Sequence, residues 1–123
     1  MVSKLEQFLD QKYVDLETCR KNGETVRTPV WFVVIDELIY IVTRENTGKV
    51  KRIKNNHNVK IMPCTFRGKP VGVWTSGQAT FVKNEEAEKA IKSRKKKYGF
   101  LTGFVNFCTS KKGNLIVILV KIE

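Results

Sequence analysis

The stretch RTPVWFVVIDELIYIVTRENTGKVKRIKNN, residues 27–56, decides how this chain is read. Two apolar runs, VWFVVI and LIYIV, flank Asp36-Glu37. Runs of that length, rich in β-branched and aromatic residues, read as strands joined by a tight turn. Each is apolar on both faces, so each needs cover twice: a barrel interior on one side, a helix or a second subunit on the other. Pro29 lies inside the incoming strand, residues 25–35, where it cannot donate a ladder hydrogen bond. It therefore marks an edge, a bulge or an opening in the sheet. Beyond the hairpin the sequence turns small, polar and basic at Thr43, Thr47, Gly48, Lys49 and Lys51. Residues 47–55 read as a short helix with Val50 and Ile53 inward. An apolar hairpin that opens onto such a segment suits a flat apolar ligand with an anionic tail, as in a flavin-type cofactor.

The flanks supply the rest of a sheet. Residues 3–13 place Leu5, Phe8, Leu9 and Tyr13 at helical spacing, with Ser3 and Glu6 in capping-box order. Residues 14–20 alternate, with Val14, Leu16 and Thr18 on one face of a half-buried strand. Asn22-Gly23 turns the chain and tolerates positive φ at both central positions. Residues 59–65 form a strand bent at Pro63, and Arg67-Gly68-Lys69-Pro70 a turn. Residues 71–82 form a long strand with Gly77 as a bulge or a point of close approach. Asn84, with Glu85, Glu86 and Glu88, opens a helix that runs to about Lys97 and ends in a basic cluster, as the helix dipole favours. Phe100, Leu101, Phe104, Val105, Phe107 and Cys108 recur at helical spacing, and residues 115–122 make a last strand. The order predicts one domain over residues 1–123, mainly β with flanking helices: a six-stranded barrel, closed or partly closed.

The length of 123 residues fits a single domain. No run reaches the roughly 18 apolar residues of a membrane span, and the amphipathic N-terminus lacks the apolar core of a signal peptide. A cytoplasmic location is expected. Cys19, Cys64 and Cys108 are odd in number and widely spaced, with no CxxC, and there is one histidine. A zinc knuckle, a dithiol redox motif and a histidine-rich metal site are therefore not expected. The net charge of +11 implies an anionic partner: nucleic acid, a membrane surface, or a phosphorylated or polycarboxylate ligand. It also serves solubility alone.

Neither a GxGxxG nor a GxxxxGK[ST] phosphate loop is present. The acidic residues fall in turns and helix starts, no serine or cysteine has a visible base partner, and His57 sits between two asparagines in a turn. No catalytic side chain is expected, so any redox chemistry would come from a cofactor. Thr43 and Thr47-Gly48-Lys49 offer hydroxyl, backbone and ammonium donors, which suit a phosphate. Pro29-Val30-Trp31 offers an interrupted strand with an apolar surface. Trp31 and Trp74 either line a pocket or belong to the core.

Taken in order, these segments resemble a known family: Thr18 to Arg20 with Gly23, Thr28-Pro29-Val30-Trp31-Phe32, Thr43 with Gly48-Lys49-Val50-Lys51-Arg52 and Asn55-Asn56, Pro63-Cys64, Arg67-Gly68 and Lys97-Tyr98-Gly99. The family is the pyridoxamine-5′-phosphate-oxidase-like superfamily of FMN-binding split barrels, and within it the short members classed as coenzyme F-420-dependent oxidoreductases. The resemblance implies a homodimer with two cofactor sites at the interface. It implies ring contacts from Thr28, Pro29, Val30 and Trp31, and phosphate contacts from Thr43, Thr47, Gly48, Lys49 and Lys51. The implied cofactor is FMN or coenzyme F-420, with FAD and heme also used in the family, and the implied reaction is hydride transfer to a small organic substrate. The chain is short beside true pyridoxamine-phosphate oxidases, which speaks against vitamin B6 oxidation. The anionic tail of F-420 would suit Lys92, Arg94, Lys95, Lys96 and Lys97. Two rivals stand beside this reading. One is a flavin carrier without turnover. The other is a small basic barrel that binds nucleic acid through residues 49–60 and 92–97. Trp31, Phe32, Tyr40 and Phe81 lie in apolar strands away from the lysines, which counts against the second.

Overall fold

The computed structural model describes residues 4–123, save the side chains of Phe104, Cys108 and Thr109. Seven strands form one antiparallel sheet: β1 (Tyr13–Cys19), β2 (Thr25–Trp31), β3 (Val33–Ile35), β4 (Leu38–Arg44), β5 (Asn58–Cys64), β6 (Thr75–Val82) and β7 (Leu115–Ile122). Three helices accompany it: α1 (Gly48–Asn55), α2 (Asn84–Tyr98) and α3 (Leu101–Thr109). The strand order is β2-β1-β5-β6-β7-β4-β3.

That order holds the main departure from the sequence reading. β2 and β3 follow each other with only Phe32 between them, yet they are the two outermost strands. The sheet must curl until its edges meet at Phe32, where the chain crosses without a ladder. The expected single strand over residues 25–35 is therefore two strands, the total is seven and not six, and the barrel is not closed by hydrogen bonds. The break leaves the Phe32 backbone without sheet partners, and the end of α2 supplies them. The Phe32 N–H donates to the Tyr98 hydroxyl at 3.1 Å, and the Phe32 carbonyl lies 2.9 Å from that hydroxyl and accepts from the Lys97 ammonium at 2.9 Å. Buried backbone groups need such partners, and here side chains provide what a ladder would have.

Inside the curl, Val14, Leu16, Ile39, Ile41, Ile61, Ile118 and Val120 pack with Phe8, Phe32 and Ile53. The other face of β3, β4 and β7 presents Val33, Tyr40, Val117 and Leu119 to Ala90 of α2. The two-faced apolar character of the hairpin is thus met by the barrel interior and by a helix. Asp36 and Glu37 both adopt positive φ, 51° and 67°, in a two-residue turn that pairs Ile35 with Leu38.

Other boundaries moved. The expected N-terminal helix is a single 3-10 turn, Glu6–Phe8, and Ser3 lies outside the described residues. Asp10, at φ 64°, redirects the chain so that Tyr13 can pair with Trp31 in β1. In the loop after β1 only Gly23 has positive φ, 91°, because Cys19 pairs with Thr25 and leaves a longer loop than a two-residue turn. β6 starts at Thr75, not at residue 71, since Gln7 takes the place of a neighbouring strand: its amide donates to the Val73 carbonyl at 3.1 Å and accepts from the Val73 N–H at 2.9 Å. Gly77 carries no bulge, but a Cβ there would stand 2.8 Å from the Lys121 carbonyl oxygen, so the close approach is real. Among the described residues no helix is long and apolar enough to cross a membrane.

Candidate functional site

Because the sheet edges meet at Phe32, the end of β2 lies near the end of β4, and a cavity of about 270 Å³ opens between them. Pro29, Val30 and Trp31 form one wall, Val42, Thr43 and Arg44 another. Thr47 and Lys49 enter from the start of α1, Arg94 and Val105 from α2 and α3, and Lys112 and Leu115 from the approach to β7. The Thr47 hydroxyl donates to the Arg44 carbonyl at 3.0 Å. That bond closes the turn between β4 and α1 and fixes the first helical turn, which carries Lys49, at the mouth of the hairpin.

Trp31 is half-buried and its ring lies on that of Tyr98, with centroids 4.1 Å apart and planes 7° from parallel. The Tyr98 hydroxyl is pinned between Phe32 and the Lys12 carbonyl, the latter at 2.6 Å, so the indole plane is held by the end of α2. Trp74 lies elsewhere, with the Arg27 guanidinium 5.2 Å over its ring.

The cavity is strongly cationic. Arg44, Lys49, Arg94 and Lys112 line it, and its lining holds no aspartate or glutamate among the described residues. Burial holds the Lys49 ammonium below the usual lysine range, and the charges of Lys112 and Arg52 press it the same way. Arg94 is only 4% exposed. Its guanidinium is likewise pushed down, by burial first and by Arg44 second. Nη2 of Arg94 donates to Asn106 Oδ1 at 2.8 Å, while Nε has no hydrogen-bond partner among the described residues. Arg44 donates to the Gly113 and Asn106 carbonyls at 3.1 and 3.3 Å. Clustered like charges of this kind are what an anion relieves.

Six of the nine residues expected at the site line this cavity: Pro29, Val30, Trp31, Thr43, Thr47 and Lys49. Thr28, Gly48 and Lys51 do not. Two residues along a helix are about 200° of rotation, so Lys51 faces away from Lys49 and, with Gly48, borders a separate groove beside Arg20 and Lys21. At Gly48 the space a Cβ would need is taken by the Arg52 guanidinium, 2.7 Å away. Thr28 sits mid-strand opposite Leu16.

The sequence reading did not single out Arg44 or Lys112, and it placed Arg94 in a cluster suited to an anionic tail. A signal for Arg94 was present. Ala87, Ala90, Ile91, Arg94 and Tyr98 recur at three- and four-residue spacing along α2, and the three alanine and isoleucine positions pack against the sheet. The arginine is on the buried stripe, whereas Lys92, Lys95 and Lys96 are exposed. His57 is exposed at the start of β5 and does not line the cavity. Cys19 and Cys64 are free thiols, and no metal-binding cluster occurs among the described residues.

A split seven-stranded sheet with a basic cavity at its seam defines a class of small split barrels. The family described as pyridoxamine 5'-phosphate oxidase matches residues 1–123, and this chain belongs to it. The fold recurs in the heme storage protein HutZ from Vibrio cholerae, at 15% identity and a TM-score of 0.75 over 96% of this chain and 86% of that one. It recurs in an F420 reductase, at 16% identity and a TM-score of 0.64 over 100% and 96%. A heme binding protein from Mycobacterium smegmatis shares it at 9% identity and a TM-score of 0.69, over 97% and 50%. Comparison with curated proteins by sequence found no match.

Proposed function

We propose that this protein binds a phosphorylated flavin or deazaflavin in the seam cavity and passes hydride between that cofactor and a small organic substrate. The observation that carries the reading is the meeting of an apolar strand end, Pro29-Val30-Trp31, with Thr43, Thr47 and Lys49 around one basic cavity. The strand end is suited to a ring, since Pro29 has no N–H and the Trp31 plane is fixed by Tyr98. The threonine hydroxyls and the lysine are suited to a phosphate. The cofactor supplies hydride chemistry when bound. The chain's own residues bind and orient it and exclude water, and none of them is assigned a proton-transfer step.

The fold of HutZ raises heme as a second occupant. The described lining contains no histidine, cysteine, methionine or tyrosine, the side chains that ligate heme iron. Within this chain the lining suits the phosphate of a flavin better than heme iron. A second copy of the chain is proposed to complete the site. Exposed Phe66, Val71 and Val73, 64%, 54% and 69% accessible, supply apolar surface for such a contact.

The test is titration of the purified protein with FMN, FAD, coenzyme F-420 and hemin, read by absorbance and fluorescence at several salt concentrations. Saturable, salt-sensitive binding of a flavin or deazaflavin supports the reading, and reduction of an acceptor by the loaded protein separates an enzyme from a carrier. Saturable binding of hemin alone sinks it. An oligonucleotide shift that added flavin leaves untouched would favour the nucleic-acid alternative.

A further inference from the structure

We infer that the wall of the cavity formed by Arg94 and Lys112 is a second anion subsite, so that the site takes a ligand with two anionic groups and not a single phosphate. The inference deepens the reading above and rests on it. Its basis is Arg94. This guanidinium is nine-tenths buried and held on one side by Asn106, and its Nε is unpartnered among the described residues. A buried charged donor without a partner is costly, and native interiors rarely leave one unsatisfied. Arg94 also lines the cavity, so its guanidinium charge stands in the wall that an anion bound there would meet.

Charge count points the same way. The phosphate reading uses Lys49 with the hydroxyls of Thr43 and Thr47, on the β4–α1 side. Arg94 and Lys112 approach from α2 and from the turn before β7, the other side of the same cavity. A phosphate monoester carries at most two negative charges and would leave the cavity with a cationic excess. A diphosphate, or a phosphate accompanied by a carboxylate, satisfies both walls. Asn106 has a part in this. It fixes Arg94 Nη2 through its side chain and accepts from Arg44 through its carbonyl, so one residue of α3 holds both guanidinium groups in position.

Orthophosphate and pyrophosphate are the probes, titrated by calorimetry into the wild type, Arg94→Met and Arg94→Lys. Methionine keeps the volume and apolar stem while removing the buried charge. Lysine keeps a cation without Nε and serves the same comparison should the methionine variant not fold. The wild type is expected to prefer pyrophosphate by tenfold or more, and Arg94→Met is expected to erase that preference while still taking orthophosphate. Absence of the preference in the wild type, or its survival in both variants, overturns the subsite. FMN titration of the same preparations reads the ring site separately. A pyrophosphate preference without flavin binding upholds the subsite and sinks the redox reading. Flavin binding without the preference sinks the subsite and leaves the redox reading in place.

Discussion

Lys49→Met is predicted to stabilise the ligand-free protein and to weaken its binding of a phosphorylated cofactor. The two effects share one cause. Lys49 is half-buried in the first turn of α1, with Lys112 and Arg52 as like-charged neighbours. Its folded-state value lies below that of an unfolded lysine, 10.5. The charged form therefore costs folding free energy at every pH below the folded value, and the cost fades as pH rises toward the unfolded one. A neutral side chain removes that cost. The ligand-free variant should therefore melt higher than the wild type. Against a bound phosphate the same ammonium contributes a charged hydrogen bond of about 1.5–3 kcal/mol, so Kd should rise about 10- to 150-fold. Calorimetric melting without ligand and fluorescence titration with FMN, both at pH 7 and 0.15 M salt, read the two arms. A variant that melts lower than wild type would refute the cost to the fold, and one that binds FMN as tightly would refute the contact with the anion.

Other outcomes follow from single contacts. Gly77→Ala places a Cβ 2.8 Å from the Lys121 carbonyl and 2.9 Å from Val120 Cγ1; it should cost about 1–3 kcal/mol, measured as a lower urea midpoint with an unchanged slope. Tyr98→Phe removes the hydroxyl partner of the Phe32 N–H; a loss of about 1–3 kcal/mol is expected, together with altered Trp31 fluorescence as the stack loosens. Desolvation holds the Lys97 ammonium down at about 8, with Asp10 pulling the other way. Stability should therefore rise with pH between about 8 and the ordinary lysine value of 10.5, and Lys97→Met should flatten that rise in pH-dependent melts. Sedimentation equilibrium should give twice the chain mass, and a monomer that still binds flavin would remove the second copy from the site.

Local signals carried most of the fold because each element states its own face. β4 and β7 were legible from their apolar runs, α1 from Val50 and Ile53, and α2 from its acidic start and basic end. The N-terminal segment was not. Leu5, Phe8 and Leu9 have helical spacing, but Tyr13 is needed to pair with Trp31, and a long-range ladder outcompetes a short helix that is marginal by itself. The split at Phe32 was hidden for a related reason. Nothing in VWFVVI marks where one sheet edge ends and the other begins, and the partners that make the break tolerable, Lys97 and Tyr98, lie more than sixty residues away.

The site divides along the same line. Its β2 and α1 residues were legible because Pro29 and the Thr47-Gly48-Lys49 segment are locally unusual. Spacing within α1 could also have excluded Lys51, since a helix turns it away from Lys49. Arg94 was legible only through its helical register. In sequence it is one of five cations in a row of six residues, Lys92 to Lys97, and a run of charges is ordinarily a solvated helix face. What separates it is register: it follows Ala90 and Ile91 on the stripe that packs against the sheet, so it is carried inside while its neighbours stay in water. A helix that spends a core position on an arginine weakens its own packing. The proposed anion subsite would give that position a physical reason, and this is why the buried Arg94, more than the exposed lysines around it, bears on what the protein is proposed to bind.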